Sequence, residues 1–399
     1  MMPRTMLTES EALQKILAEV TTLGVETLPL RRAVGRFAAG ELAATVPSPP
    51  FDNSAMDGFA LAFHGGEAPA GARFHIVGTQ AAGRDAGLTL AEGQAARIFT
   101  GAPLPAGTTG VVMQEDTRVE KDQVEVTDAC ARDEFIRRAG ADLCRGQRIL
   151  TRGERLNPQR VALLASQGLA TVDVFAVPRV AVLSTGDELL PPGQQLAAGQ
   201  IYESNGALLA ALVEASGAVV ANVGCARDDA EALEEAMKTA FESAEVLILS
   251  GGVSVGERDF VKPALAKLGV ETNFWRVAIK PGKPFLFGRA TSGALVFGLP
   301  GNPVSSFVTF LVFVRPALLR LMGAEDVAPA SHPARTGAAL RNDDGRPHYV
   351  RGRVEAGVFQ PQGRQESHAL FGLSRSDALV RVPPHAEIAA GETVDAIAC

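Results

Sequence analysis

The chain has 399 residues, 46% of them apolar and 21% charged, with a formal net charge of −7 at neutral pH. At about 150 residues per domain this length allows two to four domains, each able to bury a core, and a disordered chain is excluded. The acidic balance and the lack of any dense Lys/Arg run exclude a general nucleic-acid binder, which needs a basic face to neutralise phosphates.

The start MMPRTMLTESEALQK lacks the apolar core of a signal peptide. Residues 8–44 read as helical: Thr8 and Glu11 have capping-box spacing, and Leu13, Ile16, Leu17 and Val20 recur on one face. Near Thr45 the texture changes. Pro47, Pro49 and Pro50 end any helix, and the pieces RFHIVGT, ARIFTG, GVVMQ and QVEVT, separated by Gly and Pro, predict a β-rich domain. Asn157-Pro158 starts a helix as N-cap and first-turn residues, and Gly168 ends it. That helix is expected to return to the N-terminal segment, making a helical linker domain from two chain pieces.

From Pro178 the pattern is strand, loop, helix, repeated. The pieces are RVAVLS, NGALLAALVEASG, AVVANVGCA, DAEALEEAMKTAFESA, EVLILS, a helix through Lys267, ALVFGL and a helix ending near Met322. Such alternation predicts a parallel sheet with helices on both faces. After Pro329 short strands return, with HYVRGRVE and VFQPQ as a pair, and read as a small β-barrel or sandwich. The expected domains are 1–45 with 146–177 (helical linker), 46–145 (β-rich), 178–327 (α/β) and 328–399 (β-barrel).

The longest apolar stretch, near Phe307 to Val314, is too short to cross a bilayer and reads as a buried helix. Cys130, Cys144, Cys225 and Cys399 lie too far apart for zinc or CxxC spacings, and the histidines form no HExxH. Buried or idle thiols in a reducing compartment follow, with the cytoplasm as the expected location.

Ligands of open parallel sheets bind beyond the carboxyl ends of the strands. Three polar or Gly-rich loops fall there: Ser184 to Glu188, Ser250 to Asp259, and Leu299 to Pro303. In the second, Gly251, Gly252 and Gly256 let backbone N–H groups approach a ligand, and Ser250 and Ser254 can donate hydrogen bonds. The following helix points its positive end toward an anion. An ordinary strand-to-helix turn fits the same residues; a Walker loop and GxGxxG do not. Asp187, Glu188, Asp228 and Asp259 follow strand ends. If the loops meet, these like charges share one cleft, which favours protonation or a bound cation. Mg²⁺ takes one or two carboxylates and completes its shell with water and phosphate oxygens, so a phosphate-bearing ligand bridged by Mg²⁺ is expected. Asp187 and Asp228 equally suit N-capping or a solvated turn.

Lys280 and Lys283 in AIKPGKPF sit on a backbone stiffened by prolines, placed to neutralise phosphate or an oxyanion or simply to face solvent in a turn. Leu299 to Pro303, with Pro300, Gly301 and Asn302 at its centre, presents backbone to the same ligand or merely precedes a helix. In the β-rich domain, Asp52, Asn53, Ser54 and Asp57 crowd one loop, Thr100 ends ARIFTG, and Arg137, Arg138 and Asp142 lie in IRRAGAD. Polar tight turns account for each of these as well.

The stretches PPFDNSAMDGFAL, RIFTGAPLPAGTTGVVMQED, IRRAGAD, VLSTGDEL, QIYESNGALL, LILSGGVSVGERDF, VAIKPGKPFLFG and VFGLPGNPVSSF occur in consistent order within residues 46–316. Together they resemble the MoeA family of molybdopterin molybdenumtransferases, which includes the C-terminal part of gephyrin. DGRPHYVRG and QESHALFGLS extend the likeness more loosely. The resemblance implies a four-part, elongated homodimer whose central α/β domain is similar to a molybdopterin adenylyltransferase and whose active cleft is shared between subunits. It implies that adenylylated molybdopterin and molybdate react, assisted by Mg²⁺, to give molybdenum cofactor and AMP. The pathway's molybdopterin adenylyltransferase is the implied partner. Neither nucleic acid nor membrane is expected to bind.

By that resemblance Glu188, Asp228 and Asp259 match the metal and phosphate site, and Lys280 and Lys283 the KPGK turn. Ser250, Gly251, Gly252 and Ser254 match the ligand-cradling loop, with Pro300, Gly301 and Asn302 beside the same ligand. Asp57, Thr100, Arg137 and Asp142 match the functional segments of the β-rich domain. Glu257-Arg258 stands where many members carry Asp-Tyr, and Gln365-Glu366 precedes Ser367 and Ser374 where relatives show Gly-Ser-His or a related run. Arg346 and Arg351 lie in a hairpin, facing an anion or solvent. Two rivals differ in what they need. An adenylyltransferase needs only the α/β domain, whereas this chain adds residues 1–177 and 328–399. A gephyrin-like scaffold needs fused domains and long linkers, and neither is visible.

Overall fold

The computed structural model describes residues 6–252 and 260–399. The chain divides into two compact units. Met1–Gly40, Arg152–Asn157 and Thr171–Cys399 form one, and Glu41–Thr151 with Pro158–Ala170 form the other.

The first unit is built around a six-stranded sheet. Its strands are β1 (Arg179–Thr185), β2 (Val219–Ala226), β3 (Val246–Ser250), β4 (Glu271–Arg276), β5 (Pro284–Arg289) and β6 (Leu295–Leu299), in the order β2-β1-β3-β6-β5-β4. β1, β3 and β6 are continuous apolar runs because both of their faces are covered. Val180, Val182, Val246, Ile248 and Phe297 point to one core, shared with helix Asn205–Ala215 and the helical run that follows β6. Ala181, Leu183, Leu247, Leu249 and Val296 point to the other, shared with helices Ala230–Ser243 and Val261–Lys267. This alternation is the period of two that a strand imposes.

Two expectations about this domain are corrected. The sheet is not wholly parallel: β2, β1, β3 and β6 are, but β5 pairs antiparallel with β6, and β4 antiparallel with β5. The Pro-Gly turn in AIKPGKP connects these two edge strands, so the segment forms a hairpin with no crossover helix. The second concerns length: the apolar stretch near Phe307 to Val314 lies in the helix expected to end near Met322, and that helix is not too short to cross a bilayer. Pro303–Leu321 spans 19 residues with mean hydropathy 1.6, enough by length and composition to cross a membrane, yet 83% of that window is buried inside the protein. Its middle turn, Phe310–Val314, is π-helical, and flanking α-helices carry it on as a core element.

The N-terminal segment is corrected too. Its helix is Glu9–Glu19, closed by the capping box foreseen at Thr8 and Glu11. Beyond it Val25–Pro29 is a strand, paired antiparallel with Thr171–Phe175. Gly24 and Pro29 oppose helix continuation, and pairing with a distant strand outweighs the local apolar spacing. Chain pieces 146 residues apart are thereby joined, as when Thr27 Oγ1 donates to Asp173 at 2.6 Å. Near the C-terminus, Ser331–Thr336, Val358–Pro361, His348–Glu355, Ala378–Val382 and Thr393–Ala398 close a barrel in that order. Ala334, Val350, Phe359, Val380 and Val382 fill it.

The second unit contains a six-stranded sheet whose central strands are Gly58–Leu61, Gln94–Ile98 and Arg73–Gln80. Phe59 and Leu61 face one core, and Ala60, Ala96 and Ile98 the other. Helix Pro158–Ser166 belongs to this unit and is followed by Gly168 at φ +81°. All four thiols are free, but only Cys130 is buried, so burial does not account for the rest.

Candidate active site

From β1 the chain moves to β2 on one side of the sheet, and from β3 to β6 on the other. The connections therefore diverge between β1 and β3, where an open α/β sheet leaves a crevice beyond its carboxyl ends. A cleft of about 470 Å³ opens there. Ser184 and Thr185 from β1, Ser250 to Gly252 from β3, and Gly301 and Asn302 after β6 line it, with Glu188, Glu203, Asn205 and Asp228.

The two described glycines of the β3 loop are required by close packing. Gly251 has φ +94°, and a Cβ there would lie 2.6 Å from Thr185 O. Gly252 has φ +62°, and its Cβ would lie 2.5 Å from Val261 Cγ2. Ser254 and Asp259 lie outside the described residues. Ser250 is 2% exposed, and its Oγ accepts a hydrogen bond from Asn205 Nδ2 at 2.9 Å. The same Asn205 Nδ2 donates to Gly301 O at 2.6 Å, so one amide ties the β3 and β6 loops to helix Asn205–Ala215. Asn205 Oδ1 is buried with no partner among the described residues.

Glu203 was not singled out from sequence. Its Oε1 accepts from Ser184 Oγ at 2.8 Å and from Gly206 N at 2.6 Å. Glu203 and Asn205 both stand in QIYESNGALL, where Glu-Ser-Asn ahead of an apolar run reads only as a helix start.

Thr185 Oγ1 donates to Asp228 Oδ1 at 2.5 Å, and Asp228 N donates to Asp187 Oδ1 at 3.2 Å. The N-cap of helix Ala230–Ser243 is Asp229, whose carboxylate accepts from Ala232 N, so Asp228 is free of that task. Partial burial pushes the Cys225 thiol up, and the charges of Glu203, Glu188 and Asp228 add to the shift. Among the described residues no group of three or more His, Cys, Asp or Glu is arranged to hold a metal. Among the described residues Glu188, Glu203 and Asp228 are the acids that line the cleft; Glu203 is engaged by Ser184 and Gly206, and the other two carboxylates with water and phosphate oxygens suit Mg²⁺.

Lys280 and Lys283 do not line this cleft. They line a second one of about 720 Å³, with Pro300, Arg346, His348, Ser367 and His368. Asn302 and His368 line both clefts, and Asn302 Nδ2 donates to Ser367 Oγ at 2.9 Å. The Arg346 guanidinium, 2.6 Å from Asp344, holds that carboxyl down at about 2, and Lys280 Nζ lies 3.8 Å from the same group. Arg351 is 1% exposed; Nη1 donates to Glu366 O at 3.3 Å, while Nε and Nη2 are buried without partners among the described residues. Burial pushes its pKa down. Ser367 thus lines the cleft despite the altered residues before it. Ser374, whose Oγ donates to Phe371 O, is not among its lining residues.

In the second unit, Thr100 N and Oγ1 both donate to Asp57 Oδ1 at 2.7 Å and hold its carboxyl below the usual range. Arg137 Nη2 donates to Ala55 O at 3.4 Å, and Asp142 N to Ser48 O at 2.9 Å. The structure therefore joins Asp57 to Thr100 directly and leaves Arg137 and Asp142 exposed.

Three family models match the chain. Residues 7–168 match the MoeA N-terminal region (domain I and II), 181–320 the "Probable molybdopterin binding domain", and 333–399 the MoeA C-terminal region (domain IV). A molybdopterin molybdenumtransferase of Haemophilus influenzae is 37% identical over 398 residues, 98% of each chain. One of Nostoc sp. is 37% identical, covering 90% of this chain and 85% of its own length. The crystal structure of the molybdopterin biosynthesis moeA protein from Pyrococcus horikoshii OT3 superposes with a TM-score of 0.85 at 28% identity, covering 99% of this chain and 100% of that one.

Proposed function

The chain belongs to the MoeA family of molybdopterin molybdenumtransferases, and on that premise we propose that its two adjoining clefts divide one reaction between them. The reaction inserts molybdate into adenylylated molybdopterin and releases AMP and molybdenum cofactor. The observation that carries this division is that Asn302 and His368 line both clefts, so ligands in the two meet across one shared wall.

The first cleft suits the phosphoanhydride. Its backbone cradle at Gly251 and Gly252 admits an anion closely, and Glu188 and Asp228 are the residues that would hold Mg²⁺. When bound, that ion polarises a phosphate oxygen and offsets the charge that develops on it. The second cleft suits the oxyanion. Lys280, Lys283 and Arg346 line it, and cationic groups fixed before the reaction stabilise anionic charge without reorganising. The thiols that receive molybdenum belong to the pterin, so no protein nucleophile is needed. The substrate arrives from the molybdopterin adenylyltransferase of the same pathway.

The test mixes purified protein with adenylylated molybdopterin, molybdate and Mg²⁺. AMP and molybdenum cofactor are expected in equal amounts, and omission of Mg²⁺ should stop both. AMP formed without molybdenum insertion, or no AMP at all, rejects the assignment.

We further infer that the active form is a homodimer in which Asp57, Thr100, Arg137 and Asp142 of one subunit complete the partner's cleft. Asp142→Ala and Asp228→Asn chains, each inactive alone, are then expected to restore about one quarter of wild-type activity when co-expressed, because half of the dimers carry one intact cleft. A mixture as inactive as either parent rules out a shared cleft.

A further inference from the structure

The second cleft holds an imidazole that the transfer chemistry leaves unused. His348 opens the strand His348–Glu355 and is 8% exposed. It lines the cleft, and its Nδ1 is buried with no hydrogen-bond partner among the described residues. The backbone on either side of it is pinned to the lysine turn. Lys280 N donates to Pro347 O at 2.9 Å, and Tyr349 N donates to Lys280 O at 2.8 Å. The backbone that carries the ring is therefore fixed relative to the lysine turn, and a buried ring nitrogen left unpaired carries a desolvation cost that a ligand can relieve.

The charges around the ring come from several segments. The lysine turn brings Lys280 and Lys283, and the turn before the strand brings Asp344 and Arg346. The strand itself brings Arg351, and the loop that covers it brings Glu366 and His368. Asp344 is already engaged by Arg346 and Lys280. Burial and the Lys280 charge together push the imidazole down to about 4, so it is neutral near pH 7. A dianion entering the cleft reverses the local field, and an opposite charge at close range favours the protonated ring. The imidazolium has two donors where the neutral ring has one.

We propose that His348 is an oxyanion-binding residue of the second cleft, which takes up one proton from solvent as a tetrahedral dianion enters and then donates a hydrogen bond to it. This rests on the placement of molybdate in that cleft. It makes the site selective for dianions over monovalent anions such as chloride, because only a dianion supplies enough field to charge the ring with Lys280, Lys283, Arg346 and Arg351 already present.

The test titrates molybdate into the full-length protein by calorimetry in buffers of different ionisation enthalpy. At about pH 6.5 the wild type is expected to take up about one proton per molybdate bound, and its affinity to fall about tenfold per pH unit between about pH 6 and 7. His348→Gln should bind more weakly, take up no proton and lose the pH dependence. His368→Gln, which removes the exposed imidazole of the same cleft, should keep both. Ring ¹⁵N shifts of the wild-type protein give a readout that needs no folded variant: the His348 signal should move to the imidazolium position on adding molybdate. Proton uptake that survives His348→Gln, uptake lost instead in His368→Gln, or a ring that stays neutral in the complex each overturn the assignment and leave the oxyanion cleft standing. A wild type that binds no molybdate overturns both.

Discussion

Asp228→Asn is expected to lower turnover about 100-fold, the scale on which removal of one preorganised electrostatic group acts in the transition state. The substitution keeps the side chain's shape and an oxygen for the Thr185 hydroxyl, which lies 2.5 Å away. It removes only the charge. Capping of the next helix is untouched, because Asp229 performs it. Circular dichroism and the melting temperature should therefore match the wild type. Glu188→Gln should act in the same direction, and both variants should need more Mg²⁺ to reach half of their maximal rate. Unchanged turnover in both variants, measured as AMP release, removes these carboxylates from the reaction. A loss of folded signal in either one assigns the residue to structure.

Phe285→Ala is expected to destabilise the α/β domain by about 3–5 kcal/mol, the usual cost of emptying a fully buried phenylalanine site. Phe285 is 0% exposed on β5. Its ring centroid lies 4.7 Å from that of Phe313, 6.1 Å from Phe274 and 6.4 Å from Phe297. It therefore joins the antiparallel edge of the sheet to the long buried helix. Loss of the ring leaves a cavity that rigid neighbours on three sides cannot fill. The melting temperature should drop by about 10 °C, whereas Phe371→Ala should change stability by less than about 0.5 kcal/mol. Phe371 is 75% exposed and serves as the control. A loss below about 1 kcal/mol at Phe285 shows that the core repacks around the gap.

The two cases also show what was legible before the fold was known. Strands β1, β3 and β6 could be read because both of their faces are buried, which writes an uninterrupted apolar run. The capping box at Thr8 could be read because its partners are three residues apart. The hairpin of β4 and β5 is ambiguous in AIKPGKP, whose lysines read as charges on a turn, although a Pro-Gly turn between alternating residues is equally a hairpin signal. Val25–Pro29 reads as helix from its local spacing because its pairing partner lies at Thr171–Phe175, beyond the reach of any local pattern.

The site divides in the same way. Glu188, Asp228, Ser250, Gly251 and Gly252 were identifiable because they follow strand ends, and strand ends of a parallel sheet share one edge. Glu203 and Asn205 were missed because their role lies in partners distant in sequence: Ser184 for the first, Ser250 and Gly301 for the second. Lys280 and Lys283 are legible as charges on a proline-stiffened turn, for phosphate, an oxyanion or solvent, and only the structure puts them in the neighbouring cleft.

The sequence by itself determined the alternation of elements, the family likeness and the residue types that bear charge. Those properties are written in local periodicity and in short ordered motifs. Tertiary structure alone decided that the lysines and the carboxylates occupy separate clefts with Asn302 and His368 in common. It also decided that His348 and Arg351 are buried, with one ring nitrogen and two guanidinium nitrogens unpaired among the described residues. The physical reason is that field and burial depend on distance in space. Lys280 meets the strand beginning at His348 only because the β4–β5 turn and the C-terminal barrel pack backbone to backbone.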